Sequence, residues 1–454
     1  MKYNDIASLE AKKLSWRMSV WMLFLAMIVG ILAGIAAIVF QGLVAFFHNV
    51  FFLGHFSFKY HENVYTYPSA WGIGVIFIPI LGGLAVIWLI ETFARDEKGL
   101  SVPEIMYKLR KQNGNIRPKI ALAKTLASVI SIGSGASIGR EGPVVQMGAA
   151  ISSFLGNIIH IHPVQRKLLV AAGVAGATAA IFHAPLTGIA FVIELFVTST
   201  HLFLLVLISL SSMTAILVEH SILGSSVIFS IHAIDHVTRY SHVLILLPVF
   251  VLLGVMLGCL SAIFIRGIYG FEDVLNRLFK YPYLRQVVSM CIIGIMLSIF
   301  ITQFGHYYID GIGFATIQDC LDGVITNPWL LMFVIMGKLL ATCLSLGSGA
   351  SGGIFSPALF IGATSGTFFG LLFNCLFPDA AIHPVLFTMA GMAGVTAGMT
   401  GAVVTSILLM VEITHNVFFI LPVLITASTA HIVRLQCCKE SVYTLKLARR
   451  GISL

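Results

Sequence analysis

A thirteen-residue stretch occurs twice in this chain. Ser131-Ile-Gly-Ser-Gly-Ala-Ser-Ile-Gly-Arg-Glu-Gly-Pro143 aligns without a gap with Ser345-Leu-Gly-Ser-Gly-Ala-Ser-Gly-Gly-Ile-Phe-Ser-Pro357, at an offset of 214 residues, and eight of the thirteen positions are identical. Lys124 and Lys338 stand at the same offset. A second block follows each copy: Ala172 to Glu194 matches Ala390 to Glu412 at an offset of 218, with ten of 23 positions identical, among them Gly173/Gly391, Thr178/Thr396 and Glu194/Glu412. Two blocks in the same order argue for internal duplication. Glycine- and proline-broken segments at matching places of a duplicated membrane chain point to a site between the repeats.

The surroundings of the repeats are apolar. Of 454 residues, 58% are hydrophobic and only 10% charged, with a mean hydropathy of +0.97; a soluble domain is nearer a quarter charged. Long apolar runs, without the alternation of a barrel, predict an all-α integral membrane protein. The net charge of +8 reflects basic residues at segment ends and is read as a topology signal, not as a nucleic-acid footprint. The seven cysteines and fifteen histidines show no metal-binding spacing, so neither a metal nor a cofactor is expected.

Taken in order, residues 1–17 are polar and basic, and the first span is expected over 18–47 and the second over 69–92. The basic loop from Arg95 to Lys119 then returns to the same side as the N-terminus, the cytoplasmic one by the positive-inside rule. An apolar hairpin is expected up to about 219, a mixed loop over 220–242, spans at 243–267 and 286–304, and an interfacial amphipathic piece between them. A last apolar segment over 416–433 leads to a basic, cytoplasmic tail, 434–454. The chain is read as one membrane domain, 1–454, with a first half over 18–219 and a second over 243–433, and no cleavable signal peptide.

The glycine-rich stretch carries the chemistry. Arg140 and Glu141 are ionisable groups in apolar surroundings, where they need a cavity or a partner. Pro143 suits the first turn of a helix, and helix N-terminal amides attract anions. The stretch therefore reads as an anion site at membrane depth with a carboxylate in it. A phosphate-cradling loop is excluded by the absence of Gly-Lys-Ser/Thr. The small residues also suit close helix packing. Glu194 and Glu412, at matched positions, read as structural caps of backbone amides rather than as proton carriers.

Gly139-Arg-Glu-Gly-Pro143, Gly353-Ile-Phe-Ser-Pro357 and a late Tyr443 together resemble the CLC family of chloride channels and proton-coupled chloride exchangers, over nearly the whole chain. The resemblance implies an inverted repeat of tilted and partial helices, one pore in each subunit of a homodimer, and a bacterial-type cell-membrane protein without regulatory domains. It implies that Glu141 is a gate whose carboxylate competes with chloride and moves aside when protonated. It implies that backbone amides of Ile354 and Phe355 hold the central anion, that the Tyr443 hydroxyl contacts it, and that Arg140 and Gly142 supply amides to an outer site.

Two positions depart from the family. Its first motif, Gly-Ser-Gly-Ile-Pro-Glu, here reads Gly99-Leu-Ser-Val-Pro-Glu104, so Leu100 replaces the anion-binding serine and Ser101 stands one place later as the candidate. The acid that many exchangers place directly after Glu194 is Leu195. Leu195 favours a channel-like or weakly proton-coupled chloride transporter. The alternatives are a chloride/proton antiporter with a non-standard internal proton route and a transporter of fluoride or another anion. An intramembrane scaffold or enzyme would need a nucleophile–base pair or metal ligands at depth, and the sequence shows none. The expected partners are chloride, protons, the lipid bilayer and a second copy of the chain, with no nucleic acid.

Overall fold

The computed structural model describes residues 16–95, 101–197, 200–224, 228–231, 246–378, 382–414 and 419–452. Lys2, Lys12 and Lys13 of the N-terminal segment, Gly99 and Leu100 of the first motif, and most of the 220–242 loop lie outside the described residues. The first half comprises α1 (Trp16–His48), α2 (Phe77–Phe93), α3 (Ser101–Lys111), α4 (Pro118–Gly133), α5 (Glu141–Ile158), α6 (Pro163–Phe182), α7 (Pro185–Leu195) and α8 (Leu202–Leu223). The second comprises α9 (Leu247–Leu278), α10 (Pro282–Phe304), α11 (Phe314–Leu321), α12 (Pro328–Ser348), α13 (Phe355–Leu376), α14 (Val385–Thr400), α15 (Val403–Thr414) and α16 (Ile420–Cys437), followed by α17 (Val442–Ala448).

The duplication extends beyond the blocks the sequence displays. α5 and α13 begin at the offset of 214, and α7/α15 and α8/α16 begin at the offset of 218. Nine helical stretches among the described residues are long and apolar enough to cross a membrane, whereas α7, α14 and α15 are shorter apolar helices. A span needs about 20 residues, so the short helices are the partial ones the resemblance implies. Proline opens α4, α6, α7, α10 and α12, where its missing N–H removes a donor the first turn leaves unpaired anyway.

One large buried cluster draws residues from both halves. Every residue of α14 is buried. Its partner contact is built from glycine: a Cβ on Gly362 would strike the carbonyl of Gly391, and one on Gly391 that of Gly362. The first repeat does the same with Gly148 and Gly173, so each pair lets two backbones touch.

The repeats are also tied by paired hydrogen bonds that are images of one another. Ser128 Oγ donates to Ser351 Oγ (2.9 Å), while Ser137 Oγ pairs with Thr342 Oγ1 (2.8 Å), and both swaps obey the offset of 214. Glu194 accepts from the amides of Val404 and Thr405 at 2.8 and 2.7 Å and from Thr405 Oγ1 at 2.6 Å. Glu412 accepts from Leu186 and Thr187 amides, both at 2.7 Å, and from Thr187 Oγ1 at 2.6 Å. Each glutamate therefore caps the N-terminus of the other repeat's short helix, the capping role read from their symmetry.

Three local expectations change. The apolar hairpin before 219 is a single helix, α8, because no turn residue interrupts Leu202–Leu223. The amphipathic piece between the two later spans is the end of α9, which runs unbroken to Leu278, and Arg285 belongs to α10. The basic tail is folded: α16 continues through Arg434, which is buried and donates to the carbonyls of Gly398, Cys438 and Lys439, and α17 packs Val442, Tyr443 and Leu447 inside.

The glutamate caps make a quantitative test. Glu412→Ala strips two helix-start amides and a hydroxyl of their shared acceptor, and bonds to a charged group contribute about 1.5–3 kcal/mol each when removed. Its thermal unfolding in detergent should begin several degrees below wild type, and Glu194→Ala should match it. A clear loss in one variant and none in the other would contradict the reciprocal arrangement.

Candidate functional site

The two glycine-rich loops meet back to back. Gly139 donates its N–H to the carbonyl of Gly353 at 2.8 Å, and Gly353 donates to that of Gly139 at 2.7 Å, an antiparallel bridge between equivalent positions of the duplicated stretch. Each loop then enters a helix, α5 at Glu141 and α13 at Phe355. The first amides of a helix have no intrahelical acceptor, so the starts of α5 and α13 each present N–H groups that need an outside partner beside the bridge.

Glu141 crosses from one repeat to the other. Its Oε1 accepts from both the backbone N–H and the hydroxyl of Ser356, the second residue of α13. Its Oε2 has no hydrogen-bond donor among the described residues. The carboxylate fits there because two neighbours lack side chains. A Cβ on Gly139 would overlap both carboxylate oxygens, and one on Gly353 would sit 2.5 Å from Oε2 and 3.0 Å from the amide nitrogen of Gly142. Thus a negative group stands on a helix N-terminus, in the position such a terminus offers to an anion.

Arg140 makes its ion pair elsewhere than with its neighbour. Adjacent residues point apart, and Arg140 Nη1 instead donates to Glu62 at 2.5 Å, with Nη2 on the carbonyl of Ile181 at 3.3 Å and the guanidinium 4.9 Å from the Phe314 ring centre. The amide of Gly142 belongs to the first turn of α5. Ile354 and Phe355 are buried at the start of α13, and the Phe355 ring packs 5.1 Å from Phe182 and 6.4 Å from Phe191. Lys338, level with Lys124 in the repeat, does not reach outward. Its Nζ donates to the carbonyls of Ile309 (3.0 Å) and Gly311 (2.8 Å) and lies 4.7 Å from the Phe360 ring centre.

Tyr443 is brought in from the far end of the chain. It is buried, and Glu141 and Tyr269 are the ionisable groups that bear on its hydroxyl. Helix α17 is held by Lys446 on Glu272 (2.7 Å), Arg449 on Asp273 and Arg450 on Glu104 (3.0 Å), and by Tyr269 Oη on the carbonyl of Val442 (2.5 Å). The basic residues read as a topology signal are therefore also what seats Tyr443. Ser101 opens α3, but its hydroxyl donates to Gln146 Oε1 at 2.6 Å, so its proton is committed to protein.

Sequence reading missed Ser356 and Gln146. Ser356 is the repeat counterpart of Gly142 and gains a hydroxyl exactly where the second copy loses its acid. That exchange of Gly for Ser opposite Glu for Phe was the available signal. No local pattern announces Gln146, whose partner lies 45 residues earlier.

A family model described as voltage gated chloride channel matches residues 82–435. The H(+)/Cl(-) exchange transporter ClcA of Vibrio vulnificus is 31% identical over 439 residues, covering 94% of this chain and 89% of that one. The protein of the same name from Yersinia pestis bv. Antiqua is 29% identical over 434 residues, covering 94% and 87%. Among solved structures, a slow cyanobacterial Cl-/H+ antiporter superposes with a TM-score of 0.81 at 27% identity, covering 94% of this chain and 97% of that one. A CLC-type fluoride/proton antiporter, at 18% identity and a TM-score of 0.74 over 95% and 98% of the chains, shares the fold. Helix starts that face each other across a two-fold bridge, with a carboxylate between them, are thus the centre of a multi-pass membrane protein that belongs to the voltage gated chloride channel family of anion transporters.

Proposed function

We propose that this protein exchanges chloride for protons across the membrane, with Glu141 serving both ions. The observation that carries the reading is the Glu141 carboxylate on the amide and hydroxyl of Ser356. An ionised carboxylate there competes with chloride for the helix N-terminal amides. A protonated one loses the charge that holds it to them, swings away and leaves the amides to the anion. The amides of Ile354 and Phe355 and the hydroxyl of Tyr443 hold the central chloride, and the amides of Arg140 and Gly142 serve an outer position. Ser101 takes part only by releasing Gln146. The relatives named as exchange transporters support this reading over the channel-like one. Each subunit of a homodimer is taken to carry its own pathway.

The channel-like reading keeps one observation in its favour. Leu195, which cannot titrate, is buried at the end of α7. An exchanger built this way must bring protons to Glu141 through water or another group, since isolated charge in an apolar interior is costly.

Three measurements decide. In liposomes, an imposed chloride gradient should drive uphill proton movement at a fixed ratio to chloride, and Leu195→Glu should raise that ratio; chloride flux with no proton movement in wild type would leave the channel-like reading standing. Glu141→Gln should carry chloride without proton coupling and without the rise in flux on acidification expected of wild type. Tyr443→Phe should weaken chloride binding about tenfold in calorimetric titration, the loss of one hydrogen bond to an ion; unchanged affinity would remove Tyr443 from the anion site.

A further inference from the structure

A second group of chemically capable side chains lies apart from Glu141. Among the described residues, His183, Glu219 and His220 bring their ligand atoms within 4.8 Å of one another. The expectation of no metal site rested on spacing along the chain. Spacing could not reveal this cluster, because His183 follows α6 whereas Glu219 and His220 close α8.

Glu219 is fully buried, and neither of its oxygens accepts a hydrogen bond among the described residues. Burying a carboxylate in this way is expensive unless a cation balances it. Among the described residues, the fixed cation that bears on it, Arg140, is already bound to Glu62. What faces the two oxygens directly is imidazole: His183 Nε2 stands 3.3 Å from Oε1, and His220 Nε2 stands 3.7 Å from Oε2.

The comparison between repeats adds a second point. His183 caps α6 in the left-handed region, at φ 51°, and its counterpart at the offset of 218 is Gly401, at φ 82°. The backbone there suits glycine. One repeat has it, and the other keeps a histidine at a conformational cost.

Two imidazoles and one carboxylate make a donor set that zinc and its neighbours accept, with a fourth position left for water. Tetrahedral zinc sets its ligand atoms roughly 3.3 Å apart. The His183–Glu219 separation already matches, and a small turn of His220 brings in the third donor. The His220 side chain is 37% exposed and that of His183 13%, so the cluster opens at the surface of the protein. We propose that His183, Glu219 and His220 form a binding site for a divalent transition-metal cation, zinc above all. The ion would join the C-terminal ends of α6 and α8, one residue from Phe182, whose ring packs on Phe355.

The test titrates zinc into the tag-free, chelator-stripped full chain in detergent and reads binding by calorimetry, which is independent of any transport result. Wild type should bind one zinc per chain saturably. His183→Gly, which installs the residue its counterpart uses, and His220→Gln should each weaken binding more than about a hundredfold, beyond what is typical of losing an outer-shell partner alone. Glu219→Gln should do the same, and if that variant does not fold, the two histidine variants carry the test. X-ray absorption of the wild-type zinc complex should show imidazole and oxygen scattering. The proposal is overturned by an absence of saturable binding in wild type, by unchanged affinity in the double variant His183→Gly/His220→Gln, or by sulfur in the coordination shell.

Discussion

A carboxylate at the middle of an apolar protein must be solvated by something other than water. Here that solvent is the start of a helix. The Ser356 amide has no acceptor within its own helix, and the buried Glu141 carboxylate needs a donor, so each supplies what the other lacks. The arrangement depends on reach: Glu141 belongs to one repeat and the amide to the other. Anything that moved the repeats apart by an ångström or two would leave both groups unpaired. The Gly139–Gly353 bridge fixes that separation with two hydrogen bonds, and the absence of side chains at both positions keeps the space between them open for the carboxylate.

The same exchange between repeats recurs farther from the centre. Glu194 and Glu412 each cap the other repeat's short helix. A short helix in a membrane has helix-start amides at a depth where lipid offers no acceptor. The solution is reciprocal, because duplication supplies two identical problems and two identical carboxylates facing opposite ways. Symmetry thus accounts for Glu194, although ionisable and beside Leu195, as a cap: its two oxygens are engaged by two amides and a hydroxyl. Glu141 differs, since its repeat counterpart is Phe355 and only one of its oxygens is held. The carboxylate proposed as the gate is the one that breaks the symmetry.

Asymmetry also marks the other features with chemical potential. Tyr443 sits in α17, after the last duplicated helix, and is seated by ion pairs to α9 and α3. His183 stands where the second repeat has Gly401. The repeats build the frame twice, and the departures from repetition equip it.

Much of this was legible in the chain. Eight identities in thirteen residues, the apolar composition and the Gly-Arg-Glu-Gly-Pro motif determined a duplicated helical membrane protein, because these are properties of local pattern and of the medium the pattern requires; the anion site read at its helix starts is part of the proposal. The paired glutamates were readable as caps for the same reason. What only the tertiary structure decided is which donor meets which acceptor across the two-fold. Ser356 rather than a residue near Glu141 takes the carboxylate, Ser101 spends its hydroxyl on Gln146, Arg434 turns inward to carbonyls, and His183 meets Glu219. Those partners lie tens to hundreds of residues apart. Hydrogen bonds and ion pairs act over about 3 Å of space and carry no signature along the sequence.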